Sequence, residues 1–151
     1  MADAPRDVIA KEAIVHAPRS RVWRALTDQV EFGKWFGVEM LDPFAPGRWA
    51  RGRVLHPGYE HVTLEVYVER MEPERFIAWR GHPHALDPQA DYSQEPMTLV
   101  EWTLDEVAEG TRVRVRESGF DQIPPSRRAE AFRMNDNGWT VQMQNLANHV
   151  G

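Results

Sequence analysis

Residues 97–118 read MTLVEWTLDEVAEGTRVRVRES, and alternation along them sets the inside and outside of the chain. In a strand, successive side chains point to opposite faces, so residues two apart share one. Over 97–105, Thr98, Val100, Trp102 and Leu104 fall together. Over 111–118, Arg112, Arg114 and Arg116 fall on one face, and Thr111, Val113, Val115 and Glu117 on the other. Three arginines in a row face water, because arginine is almost never fully buried without a partner. The valine face is then the inner one, and Glu117 goes inward with it unless a bulge intervenes. The two runs make a hairpin whose apolar inner face carries a carboxylate near its end.

The flanking sequence supplies more strands. Residues 61–71 alternate, with Val62, Leu64, Val66 and Val68 opposite Thr63, Glu65, Tyr67 and Glu69, the pattern of a half-buried antiparallel strand. Residues 47–55 and 75–80 are shorter candidates, and 8–16 (VIAKEAIVH) opens the chain as another. Ala17-Pro18 ends that first strand, because proline pre-sets a helical turn. Val22, Trp23 and Leu26 then recur at helical spacing. Asp28 followed three residues later by Glu31 resembles a capping box for a second short helix, with Phe32, Trp35 and Phe36 as its apolar face and Gly37 as its stop. After Pro124-Pro125, Phe132, Trp139, Met143, Leu146 and Val150 form one stripe along a long helix. Asn135 to Gly138, poor helix formers, imply either a break there or a close approach to a neighbour, with Asp136 capping a restarted helix. Residues 81–96 (GHPHALDPQADYSQEP) show no period and read as a long loop.

The chain has 151 residues, 42% hydrophobic and 27% charged, with a formal charge of −5 and no cysteine. This length fits a single domain over 1–151, large enough for a sizeable core. The acidic balance argues against nucleic acid, and the missing cysteines exclude disulfides, thiolate metal sites and a cysteine nucleophile. No apolar run is long enough for a membrane helix, and Met1 to Arg6 lead into no signal-type apolar segment, so a cytoplasmic protein is expected. His82 and His84, with Asp87 and Asp91 behind them, superficially suggest a metal cluster. They sit on a Pro-rich loop rather than a rigid frame, and no metal or other cofactor is expected. No HExxH, GxSxG, P-loop or GxGxxG pattern occurs.

Several segments together resemble one family. They are Ala17-Pro18 with Val22-Trp23 and Leu26-Thr27-Asp28, then Trp35-Phe36 and Pro46-Gly47-Arg48-Trp49, then Glu117-Ser118-Gly119-Phe120, and last Gly138-Trp139 with Leu146. They occur in order over nearly the whole chain. The sequence is similar to the START-like (SRPBCC) superfamily and, within it, to the Hsp90-ATPase-activator homologues, which have many bacterial members. The resemblance implies an α+β helix-grip fold: a curved antiparallel sheet of about six or seven strands around a long C-terminal helix, often enclosing an apolar cavity.

In such an arrangement Trp35, Trp102 and Trp139 converge on the cavity, from the second helix, an inward strand face and the gripping helix. Phe36, Trp49, Val66, Trp79, Val100, Val115 and Met143 are further candidates for its wall, although each tryptophan can equally be core. Glu117 admits two readings. It is a strand-end carboxylate, hydrated or paired with Arg51, Arg53 or Arg80, or it is a polar anchor or acid/base inside the cavity.

Three functions follow from the resemblance and these residues. The leading one is non-catalytic binding of a small apolar or aromatic molecule between sheet and helix. The second is an enzyme of the polyketide cyclase or dehydratase type with a cavity carboxylate, and no catalytic residue is otherwise assigned. The third is a protein-interaction module of the Hsp90 cochaperone kind. The eukaryotic cochaperones carry an extra N-terminal domain for which 151 residues leave no room. A monomer or homodimer is expected.

Overall fold

The computed structural model describes residues 7–87 and 89–151. The reading of Met1 to Arg6 as leader-free lies outside the described residues, as does Pro88 of the long loop. Strand β1 (Val8–Val15) is followed by helices α1 (Arg19–Thr27) and α2 (Gln29–Phe36). Strands β2 (Val38–Met40), β3 (Trp49–Val54), β4 (Thr63–Glu72), β5 (Phe76–Gly81), β6 (Thr98–Val107) and β7 (Gly110–Ser118) come next. A short 3-10 turn leads into helix α3 (Pro125–Val150). The seven strands form one curved antiparallel sheet in the order β1-β7-β6-β5-β4-β3-β2. Sequence periodicity marked six of them; three-residue β2 is too short to show a period.

The hairpin behaves as its alternation dictates. Val113 and Val115 are buried on β7, Trp102 and Leu104 on β6, and the register pairs Trp102 with Val115 and Val100 with Glu117. Strand β4 keeps its period until a bulge between Val68 and Arg70. The bulge bends the strand and increases its local twist.

Local signals fix the helices. Asp28 accepts hydrogen bonds from the backbone N–H groups of Val30 and Glu31, each at 3.0 Å, as the N-cap of α2. Gly37 ends α2 in the left-handed region at φ 85°, where a Cβ would be strained. Glu31 does not close a capping box. It reaches away to Arg21 at 2.6 Å, Arg24 at 2.7 Å and His149 at 3.0 Å, tying α1 and α2 to the last turn of α3. Burial alone would raise the Glu31 carboxyl, but hydrogen bonds from His149, Arg21 and Arg24, with the charge of Arg21, hold it at about 2 against the usual 4.5. A lowered folded-state pKa gives stability that is complete above the usual value and is lost as pH falls from 4.5 toward about 2. Glu31→Gln is therefore expected to lower the melting temperature at neutral pH by about 5 °C and to flatten the acid limb of a melting-temperature profile.

Helix α3 runs unbroken through Asn135 to Gly138, so no restart occurs. Asp136, expected to cap one, instead pairs with Lys11 of β1 at 2.9 Å. Ala131, Trp139, Met143 and Leu146 are its buried residues. The core lies between this stripe, the two short helices and the concave sheet face. Among the described residues, no helix is long and apolar enough to cross a membrane.

Candidate functional site

Large aromatic side chains fill only one end of the space beneath α3. Phe32 meets Trp35 edge-on at 5.2 Å, Trp35 meets Trp102 at 6.1 Å, and Trp102 meets Trp139 at 5.5 Å, the last two nearly perpendicular. Edge-to-face contacts of this kind satisfy the ring quadrupoles and pack densely. The indole N–H of Trp35 donates to the Ala25 carbonyl at 2.7 Å, locking α2 against α1. Trp35, Trp102, Val115 and Met143 are buried in the core and are absent from the lining of the larger cavity.

Beyond this cluster a cavity of about 830 Å³ opens between sheet and helix. Phe36, Val66, Trp79, Val100, Glu117 and Trp139 line it. Its floor comes from β4, β5 and β6, one flank from α3, and another wall from loop residues 82–86 and 90–97. Trp49 also borders it, but from a different position than expected. It shares a face of β3 with Arg51 and Arg53, is 47% exposed, and packs against Tyr67 at 5.5 Å. Alternation forces this, because Ala50 and Gly52 hold the inward places on β3.

Glu117 is 3% exposed and looks into this cavity. One carboxylate oxygen, Oε1, accepts from the Trp139 indole N–H at 2.8 Å and from the Asn135 amide at 3.0 Å. The other, Oε2, accepts from the Thr98 hydroxyl at 2.5 Å and from the same amide at 3.2 Å. The arginines weighed as partners are engaged elsewhere: Arg51 by Asp42, Arg53 by Glu39 and Arg80 by Glu69. Burial pushes the Glu117 carboxyl above its ordinary range, against the opposing hydrogen bonds from Thr98, Trp139 and Asn135. A proton on Oε2 is accommodated, because the Thr98 hydroxyl can accept it and turn its own hydrogen toward the Gly81 carbonyl, 3.4 Å away. Chemically, the group can accept a hydrogen bond when ionised and donate one when protonated.

Other contributors went unmarked in the sequence reading. Thr98 shares the inward face of β6 with Val100, and Asn135 precedes Trp139 by one helical turn, so both signals were present. Gly138 also borders the cavity, and a Cβ built on it meets nothing within 4 Å. It neither breaks the helix nor admits a close neighbour; it widens the cavity. His82, His84, Tyr92 and Met97 join from the long loop.

The loop is held in place by Arg127 of α3. Its guanidinium donates to Glu95 at 2.9 Å and to the Pro83 carbonyl at 2.8 Å, and lies 4.8 Å from the centre of the Tyr92 ring. His82 Nε2 lies 3.0 Å from the Glu95 carbonyl, so that nitrogen carries the hydrogen. These contacts turn an aperiodic stretch into a wall of the cavity.

The family described as Activator of Hsp90 ATPase homolog 1-like protein matches residues 16–151. The chain belongs to that family. No curated protein matches the sequence. Among solved structures, protein MLL2253 from Mesorhizobium loti is 22% identical with a TM-score of 0.73, covering 94% of this chain and 95% of that one. The Aha1 dimer from Colwellia psychrerythraea is 16% identical with a TM-score of 0.70, covering 95% of each. DynU16, described as a putative protein in the dynemicin biosynthetic locus, is 26% identical with a TM-score of 0.72. That alignment takes in 96% of this chain but 47% of DynU16, so the chain spans about half that protein's length. Membership of the Hsp90-activator-like family carries the fold; activity within such a fold depends on the site.

Proposed function

We propose that the protein binds a small, largely apolar or aromatic molecule in the cavity without transforming it. The observation that supports this most is the lining: a space of about 830 Å³ walled by Phe36, Trp79, Val66, Val100 and Trp139, with the buried polar side chains of Glu117 and Thr98. Ligand sites typically measure about 300–1,000 Å³ and combine apolar walls with a few fixed polar groups. Apolar burial at about 25 cal/mol per Å² supplies the drive, less the cost of association.

Gly138 makes the test specific. N-phenyl-1-naphthylamine, a neutral apolar fluorophore, is expected to brighten on binding the wild-type protein. Gly138→Leu places a side chain in space that is empty beside Gly138 and should weaken binding about tenfold or more. Removing a mid-helix glycine should meanwhile hold or raise the melting temperature, since glycine is about 1 kcal/mol poorer than alanine there. A probe that does not bind, or binds equally to both proteins, would remove the cavity from consideration.

A second reading has its own support. A carboxyl raised by burial and facing a cavity is what a general acid needs, and DynU16 comes from a biosynthetic locus. On that reading Glu117→Gln abolishes turnover while leaving the fold intact. A chaperone-binding role has only the family description behind it.

A further inference from the structure

The cavity contains a carboxylate without a cation. Every hydrogen bond to Glu117 comes from a neutral donor: the Thr98 hydroxyl, the Asn135 amide and the Trp139 indole. Among the described residues, no lysine or arginine lines the cavity. Lys11, on the same face of β1 as Ile9 opposite Glu117, is taken up by Asp136. Arg127 is taken up by Glu95 and the loop. His84 is held below its ordinary value by burial, beyond what Glu130 restores, and so brings no charge at neutral pH. Glu65, Asp91 and Glu95 add further carboxylates to the lining.

A buried ionised carboxylate is costly unless an opposite charge meets it. Here three neutral donors make four contacts to the two carboxylate oxygens, and none of them supplies a charge. The walls are suited to the same charge. Phe36, Trp79 and Trp139 line the cavity, and aromatic faces attract cations that come within about 6 Å of them. An anionic ligand would set like charge against an ionised Glu117, a neutral one offers its charge nothing, and a cation favours the ionised form by pairing with it.

We propose that the ligand is a cation: a protonated amine on an apolar or aromatic body, with its ammonium facing Glu117 and its body against Trp79, Trp139 and Phe36. This rests on the small-molecule reading above and narrows it to one chemical class.

The test uses three probes sharing one body and differing in head group: 4-phenylbutylamine, 4-phenylbutanol and 4-phenylbutyrate. Each competes with N-phenyl-1-naphthylamine for the wild-type chain at neutral pH. The amine should displace the fluorophore at a concentration about tenfold lower than the alcohol, with the carboxylate weakest. Glu117→Gln should bring amine and alcohol together. An alcohol or carboxylate that competes as well as the amine would overturn the inference while leaving the binding reading intact. So would an amine preference that survives Glu117→Gln. Failure of the fluorophore itself to bind would sink both. The wild-type comparison stands even where the variant folds poorly.

Discussion

Trp102→Ala is expected to lower the melting temperature by on the order of 10 °C, and Trp102→Phe by only a few degrees. Trp102 is 1% exposed and sits between Trp35 and Trp139, so truncation leaves a void bounded by stiff rings that cannot collapse into it. Large-to-small changes of this kind cost about 3–5 kcal/mol, out of a total stability of about 5–15 kcal/mol. A chain of this size loses about 2–4 °C per kcal/mol. The phenylalanine variant differs for a second reason: the indole N–H of Trp102 is buried without a hydrogen-bond partner among the described residues. Such a group costs about 1–3 kcal/mol, and phenylalanine deletes it while keeping a ring in place. Thermal melts of the two variants check both halves. An alanine variant melting within a few degrees of wild type would mean that the cluster is not the rigid end of the core.

That rigidity explains why the aromatic candidates divided. Six tryptophans and six phenylalanines announce themselves in the sequence, but packing and lining ask for the same residue types. Which rings touch each other depends on where α2 crosses α3, and no local period reports a crossing. Trp35 and Trp102 therefore fell into the core, while Trp79 and Trp139 reached the cavity. Trp49 is a different case. The argument that sent Glu117 inward, arginines two residues apart marking the wet face, applies equally to Trp49, Arg51 and Arg53. Applied there, it places Trp49 outside.

The polar site was half legible for a related reason. A strand's face follows from parity, so Glu117 and Thr98 could be assigned without coordinates. Their meeting with Asn135 and Trp139 depends on how far α3 slides along the sheet, which side-chain spacing leaves open. Gly138 shows the limit most plainly: a missing side chain says nothing about whether a neighbour or empty space takes its place. The wall formed by loop residues 82–86 and 90–97 was out of reach, because an aperiodic loop owes its path to long-range contacts such as those of Arg127. The sequence predicts that such a loop exists, not where it lies.

Stability is expected to fall as pH rises above the ordinary carboxylate range, and Glu117 is the group responsible. Burial raises its folded-state pKa above the usual 4.5, against hydrogen bonds from Thr98, Trp139 and Asn135. Between those two values the folded chain keeps a proton that the unfolded chain has released, so deprotonation works against folding. The contribution is complete below 4.5 and is lost as pH climbs through the raised value, opposite in sign to that of Glu31. Glutamine can hold the same contacts, its oxygen accepting from Trp139 and Asn135 and its amide donating to the Thr98 hydroxyl. Glu117→Gln should therefore match wild type in acid, exceed it in alkali and lose the slope. Leucine accepts nothing and leaves those donors buried and unpaired, at about 1–3 kcal/mol each. It should be the least stable of the three in acid, where the native carboxyl is neutral. Urea unfolding across a pH series resolves these orders. Wild type gaining stability in alkali relative to Glu117→Gln would show an ionised carboxylate already stabilised within the fold, leaving no unmet charge for an amine to answer.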